Sequence, residues 1–345
     1  KFIEDSVRKR RIQPNGKALC SRTIATYGYT AKLIREFVLA CNFYLRLKQV
    51  SHLSLRELRA ERNYWKKFYR KFTDYLYGKR GFYDNYVGHI IKNLKVFFSY
   101  LNKDLLLDVG AFYKSFYVRK EEIAIVVLMP EELNFLIYDK AFELSLTPAL
   151  RRTKDIFVFG CTVALRVSDL LNLYKTNLRI VNDRHYLVVR SKKKGTTTQV
   201  CLPEYAVEII KKYQGKYNTL LPPIHKVNLN LNLKALMERA GFTQPLTKIR
   251  ERRGMPVEIN RKRCTIRNYR FCDLVSTHTM RRTAITTMLC LGMPEILVRT
   301  ISGHTPASKE FFRYVMLAQS YQDRETSKMF EKLKTVTLQC RWQEK

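Results

Sequence analysis

The chain has 345 residues, room for two domains of ordinary size, and its 46% hydrophobic and 12% aromatic content is ample for folded cores, which excludes disorder as the default. Against 30 Asp and Glu stand 64 Lys and Arg, a net charge of +34 that would make a compact state repel itself unless its usual partner is a large polyanion, nucleic acid first among them. The excess is +15 over residues 1–128 and +19 over 129–345, which rules out a basic tail on a neutral body.

In chain order, the first third reads as helices. Tyr27 to Leu47 carries Ile34, Phe37, Val38, Cys41 and Leu45 at three- and four-residue spacing, and Trp65, Phe68, Phe72, Tyr75 and Leu76 repeat that period. A third stripe, Tyr86, Ile90, Leu94, Phe97, Phe98 and Leu101, follows Asp84, which is placed to cap its helix. The polar positions of this small bundle are unusually basic: Lys66, Lys67, Arg70, Lys71, Lys92 and Lys95 suit helices lying along a phosphate backbone, although a solvated face would look the same. Residues 103–128 break the period and end in the extended run Ile123 to Leu128, read as an interdomain linker.

Met129-Pro130-Glu131-Glu132 then opens a helix, with proline in the first turn and carboxylates at the positive end of the dipole. A further helix over about 151–162 leads into Ala164 to Leu171, where Ser168 is placed to cap a short helix. Asn177 to Val181, Tyr186 to Arg190 and Thr198 to Leu202 predict a three-stranded antiparallel sheet. Helices resume at 204–213 and 230–240, and the basic stretch 243–275 has room for an extra hairpin. Four helical segments follow, 279–291, 295–302, 308–317 and 322–338.

The longest nearly apolar stretch, Ile156 to Leu165, falls far short of the ~18 residues of a membrane span, and the N-terminus has no apolar signal region, so a cytoplasmic protein without a membrane partner is expected. The chain opens on Lys1 rather than Met, as a piece of a longer protein would. Eight Cys without C-x-x-C or paired Cys/His spacing predict reduced thiols rather than disulfides or a zinc site.

Breaking and joining a phosphodiester needs an attacking group, neutralisation of charge on the phosphoryl oxygens and an acid for the leaving oxygen. The two-metal route requires clustered carboxylates, and the nearest pairs, Glu121-Glu122 and Glu131-Glu132, are explained by a linker and a helix start. Glycine patterns for phosphate loops and dinucleotides are absent, which leaves ATP-driven and hydride chemistry unsupported. The metal-free route clamps phosphate with Arg and His and supplies a side-chain nucleophile. Arg166 follows an apolar helix, where a bound phosphate would compensate its burial unless Asp169 pairs with it for structure alone. His278 and Arg281 share one face at an anion-favouring helix N-terminus. His304 follows a tight glycine turn, and Tyr314 stands in a short helix. Taken singly, these would pass for a surface pair, a structural histidine and a core aromatic.

Together, Ala164-Leu165-Arg166-Val167-Ser168-Asp169-Leu170-Leu171, His278-Thr279-Met280-Arg281, Gly303-His304 and Tyr314 resemble the motifs of the tyrosine recombinase (lambda integrase-like) family over nearly the whole chain, most closely the mobile-element integrases of Bacteroidetes-type bacteria. The resemblance implies a mainly α fold with a small antiparallel sheet (α+β). An N-terminal extension (1–20), a helical core-binding domain (21–118), a linker (119–128), a mixed α/β catalytic domain (129–321) and a tail exchanged in trans (322–345) would form a C-shaped DNA clamp. It also implies that Arg166, His278, Arg281 and His304 bind and polarise the scissile phosphate, while Tyr314 attacks it to give a 3′-phosphotyrosine link and a free 5′-hydroxyl. The family's usual acid is a lysine between two strands. In Arg190-Ser191-Lys192-Lys193-Lys194-Gly195 the Lys-x-Gly pattern selects Lys193 and leaves Lys192 and Lys194 as DNA contacts.

The implied partners are specific double-stranded DNA sites, a homo-tetramer in synapsis and accessory DNA-bending proteins, with no cofactor or metal. The sequence departs from the family pattern in carrying Asp169 where Glu is more usual and a longer 243–275 stretch. The gap from His304 to Tyr314 is also one residue longer than the commonest spacing, which keeps Tyr321 as the alternative nucleophile. A type IB topoisomerase-like enzyme and a non-catalytic basic DNA-binding protein are the competing functions.

Overall fold

The computed structural model describes residues 1–13, 16–191, 195–261 and 268–335. The chain forms two compact units, Lys1–Ala124 together with Thr247–Asn260, and Ile125–Leu246 together with Arg261 onward. Helices dominate and the sheets are small and antiparallel. No helix among the described residues is long and apolar enough to cross a membrane.

The first unit is built from α1 (Phe2–Val7), α2 (Ser21–Ala40), α3 (Leu55–Gly78) and α4 (Asp84–Lys103). The α3 helix starts at a reciprocal cap, in which the Ser54 amide donates to Glu57 and the Glu57 amide donates back to the Ser54 hydroxyl. Its aromatic stripe meets α2 and α4 in a core of Phe37, Trp65, Phe68, Phe72 and Phe98, with Trp65 set edge-on to Phe98 at 4.9 Å. The opposite side of α3 carries Lys66, Lys67, Arg70 and Lys71, all exposed, while on α4 Lys92 is exposed and Lys95 half-buried. Among the described residues none of these six forms an ion pair.

The remaining part of this unit comes from far along the chain. In the basic stretch, β5 (Ile249–Arg252) and β6 (Met255–Glu258) form a hairpin closed by Arg253-Gly254, both with positive φ, the geometry of a type I′ turn. The hairpin is anchored on two buried carboxylates. Asp84, expected to cap α4, instead accepts from the Arg253 and Gly254 amides at 2.8 and 2.7 Å and from the Tyr77 hydroxyl at 2.6 Å. Glu121, expected in a linker, accepts from the Arg250 guanidinium and from the Glu251 and Asn85 amides. In both cases the partners of a buried charge outweigh the local role that neighbouring sequence suggests.

The second unit opens with α5 (Pro130–Tyr138) and α6 (Lys140–Ser145) and is organised on α7 (Pro148–Val163), whose residues from Thr153 to Cys161 are buried on every face. The short α8 (Val167–Leu170) follows, begun by Arg166 without a side-chain cap, so the expected Ser168 cap is not formed. Strands β1 (Leu178–Val181), β2 (Arg184–Arg190) and β3 (Thr197–Cys201) make the antiparallel sheet, with Leu187 opposite both Leu178 and Val200. Then come α9 (Glu204–Tyr213), α10 (Lys226–Arg239), the two-residue strands β4 (Pro245–Leu246) and β7 (Tyr269–Arg270), α11 (Phe271–Leu274), α12 (Thr277–Cys290) and α13 (Glu295–Ser302). The last helix, α14, runs unbroken from Lys309 to Thr335, where two segments were expected. No proline or glycine interrupts it.

Candidate active site

The α7 helix ends at Ala164, a non-glycine residue in the left-handed conformation (φ 55°), which turns the chain so that Arg166 starts α8 at the edge of the sheet. Arg166 is half-buried and its Nη1 donates to the Ser191 hydroxyl at 3.1 Å, at the end of β2. Ser191 itself closes the base of the β2–β3 turn, its amide donating to the Thr196 carbonyl. Lys192, Lys193 and Lys194 lie outside the described residues.

The α12 helix packs against α7 at close range. A Cβ on Gly160 would stand 2.6 Å from the Met280 sulfur, so a larger residue there would force the Met280 side chain to shift. The contact sets the depth of the next residue, Arg281, which is buried. Its Nη1 donates to the Ala164 carbonyl at 2.7 Å and its Nη2 to the Ser302 carbonyl at 2.5 Å. Both acceptors lie at helix C-termini, where carbonyls without helical partners carry the negative end of the dipole. Burial first, and Arg166 second, lower the Arg281 pKa to about 10, while Tyr314 and Asp169 act in the opposite direction. Asp169 is itself buried.

His278 lies in the first turn of α12, with its amide donating to the Ser276 hydroxyl. Its imidazole is held below the ordinary histidine pKa by desolvation and then by Arg282, Lys226, Arg281 and Arg166. Gly303, in the left-handed conformation (φ 63°), ends α13 and folds His304 back. His304 Nδ1 lies 2.7 Å from the Ser302 hydroxyl and 3.5 Å from Arg281 Nη2. Its ring stands 6.2 Å from that of Tyr314, which is buried on the first turns of α14. Tyr321, two turns further on, is directed elsewhere, donating to Glu131 at 3.2 Å.

Arg166, His278, Arg281, His304 and Tyr314, dispersed over about half of the sequence, are thus gathered in one place, and Tyr321 is not among them. Sequence reasoning missed the residues that hold them: Ser191, Ser302 and the Ala164 carbonyl, together with Lys226 and Arg282 as cations beside His278. Ser302, two residues before the motif histidine, was the only legible signal. The group is cationic and suited to an anion. No cluster of His, Cys, Asp and Glu among the described residues is placed to hold a metal ion.

The sequence model of the phage integrase family matches residues 136–320. No curated protein matches the sequence. Among solved structures, the XerH site-specific recombinase bound to palindromic difH substrate is similar at 14% identity and a TM-score of 0.56, covering 92% of this chain and 81% of that one. The Tn1549 transposon integrase in complex with transposon right end DNA gives 13% and 0.52, over 91% of this chain and 93% of that one. A lambda integrase dimer bound to a COC′ core site gives 13% and 0.51, over 100% and 97%. At such identities the likeness is one of fold.

Proposed function

The chain belongs to the phage integrase family and is a tyrosine-type site-specific recombinase, and from that premise we propose that Tyr314 is its nucleophile and that Arg166, His278, Arg281 and His304 clamp the scissile phosphate. The observation that carries this reading is the placement of the Tyr314 ring 6.2 Å from His304, beside the buried Arg281. Attack by the Tyr314 oxygen forms a bond to phosphorus and breaks the bond to the 5′ oxygen, leaving a 3′-phosphotyrosyl link and a 5′-hydroxyl. The phenolic proton leaves as the 5′ oxygen gains one, and Lys193 is the donor assigned by family resemblance. Because the phosphodiester energy is kept in the tyrosyl link, a second 5′-hydroxyl reseals the strand without ATP, and the cationic side chains do the work a metal would otherwise do.

The substrate is double-stranded DNA bearing the ends of a mobile element. Support comes from the charge of +34, from the exposed basic face of α3, and from fold neighbours solved with DNA, including a transposon integrase on its transposon end. A lambda integrase tetramer on a Holliday junction supports a homo-tetramer as the working assembly, with accessory DNA-bending proteins as further partners and the cytoplasm as its location. The test is a nicked suicide substrate carrying the element's end, incubated in EDTA and run on a denaturing gel. Tyr314→Phe should bind DNA but form no covalent adduct, while Tyr321→Phe retains it. Adduct formation by Tyr314→Phe moves the nucleophile to another tyrosine, and strict dependence on added Mg²⁺ removes the metal-free mechanism.

A further inference from the structure

We propose that Ser302 is a positioning residue that fixes the tautomer of His304, keeping a proton on Nδ1 so that Nε2 is the nitrogen turned to the reacting groups. The inference rests on the reading of His304 as part of the phosphate clamp.

Ser302 is the last residue of α13 and is 2% exposed, so no bulk water competes for its hydroxyl. The Oγ atom stands 2.6 Å from the Val298 carbonyl oxygen, 3.3 Å from that of Arg299 and 2.7 Å from His304 Nδ1. A serine hydroxyl has one proton to give, and carbonyl oxygens only accept. Two oxygens at 2.6 Å need a hydrogen between them, so the Ser302 proton lies on the line to Val298. The short contact to Nδ1 must then be made by a proton that the imidazole brings. Of the two hydrogens on Arg281 Nη2, one goes to the Ser302 carbonyl at 2.5 Å and the other faces Nδ1 only at 3.5 Å, too long to compete with the 2.7 Å contact between Nδ1 and the Ser302 hydroxyl.

The ring is also fixed in direction. Gly303 folds the chain so that the His304 amide donates to the Arg299 carbonyl at 2.9 Å, and Phe311 packs against the imidazole at 5.3 Å with 64° between planes. With Nδ1–H held on Ser302, the neutral ring keeps Nε2 unprotonated, which on the proposed reading makes it the acceptor for the Tyr314 proton. The protonated ring presents Nε2–H to a phosphoryl oxygen. Both states use one orientation, and no ring flip separates them.

The experiment uses the full chain labelled with ¹⁵N at histidine, read by long-range proton–nitrogen correlation above the pKa of His304, with His304→Asn assigning the signal. His304 in the unsubstituted protein should show the Nδ1–H form. Ser302→Ala should shift it toward Nε2–H, with thermal unfolding and DNA affinity retained and covalent adduct formation slowed on the order of tenfold, as expected when a reacting group loses its alignment. Ser302→Thr, which keeps the hydroxyl, should recover both the tautomer and the rate. An Nε2–H form in the unsubstituted protein, or a tautomer unmoved by Ser302→Ala, overturns the proposal. A tautomer that moves while adduct formation stays constant upholds the hold of Ser302 on the ring and overturns instead the place of His304 in the clamp.

Discussion

Replacing Glu121 with Gln should loosen the hairpin of residues 249–258 from the first unit. Glu121 is 3% exposed and accepts from Arg250 Nε at 3.0 Å, Arg250 Nη2 at 2.5 Å, the Glu251 amide at 2.6 Å and the Asn85 amide at 3.3 Å. Glutamine keeps the shape but exchanges one acceptor oxygen for a donor that faces other donors, and it strips Arg250 of its counter-charge. Breaking a buried ion pair from one side costs roughly 3–5 kcal/mol, and because the Arg250 side chain keeps 21% of its exposure, water relieves part of that, leaving about 3 kcal/mol. The unfolding transition of the first unit should fall by on the order of 10 °C. Trypsin supplies the local readout, because Arg252 and Arg253 at the hairpin turn become cleavable when it undocks. The variant Arg250→Met combined with Glu121→Gln should recover part of the loss, since neither buried charge is then left unpaired. A Glu121→Gln protein within 0.5 kcal/mol of the original and equally resistant to trypsin would refute the argument.

The pH dependence of that contact has a definite sign. Burial pushes the Glu121 pKa up, but hydrogen bonds from Arg250 and from the Glu251 and Asn85 amides overcome it, and the folded-state value lies below the ordinary one. Its stabilisation is therefore complete above the unfolded carboxyl value of about 4.3 and is lost as pH falls through the lower folded value.

DNA affinity should fall with salt at about −0.9 log unit per log unit for each neutralised phosphate, and changing Lys66, Lys67, Arg70 and Lys71 together to Gln should flatten the slope by about 3 to 4; an unchanged slope would show that this exposed face is not the DNA surface. His278 is depressed in the free protein, so a phosphate beside it should raise its pKa and draw in a proton. Calorimetry near pH 6 in buffers of different ionisation enthalpy should detect that uptake, with affinity rising as pH falls, and His278→Gln should abolish it; uptake that persists in the variant would place the titration elsewhere. Deleting residues 323–345 removes the exposed Met329 and Phe330 but keeps the Tyr321–Glu131 contact. Single-site binding should persist and recombination of paired sites should drop, while unimpaired recombination would dismiss the proposed exchange of the tail between protomers.

What could be read from the sequence and what could not divides along the range of the interactions. The stripe of Trp65, Phe68, Phe72 and Leu76 was legible because helical periodicity and burial are the same fact seen twice. So were the three sheet strands, to within a residue or two at their ends. Asp84 and Glu121 were not, because the Arg253 amide and the Arg250 guanidinium that hold them lie 169 and 129 residues away. The hairpin turn gave a weak signal, since Arg-Gly lacks the Asn or Asp that usually marks a type I′ turn. The continuity of α14 was legible and was missed, for nothing between Lys309 and Thr335 breaks a helix. At the candidate site the motifs supplied the charged residues, but the carbonyls of Ala164 and Ser302 that orient Arg281 carry no side-chain signature at all.

That last omission bears on how such a cluster works. Burial and Arg166 bring the Arg281 pKa down, and burial first, then four cationic neighbours, hold His278 below its usual value. These side chains oppose one another's charge, with the carbonyls of two helix ends and the buried Asp169 as partial compensation. An anion delivered among them relieves the repulsion, and a pentacovalent phosphoryl group carrying additional negative charge relieves it further. On the proposed reading, binding is thereby stronger in the transition state than in the ground state, which is the condition for accelerating the chemical step. The backbone carbonyls matter because they fix the Arg281 guanidinium before DNA arrives, so its alignment does not have to be established during the reaction. A carboxylate in their place would hold the arginine equally well, but it would cancel the charge that the phosphate is there to meet.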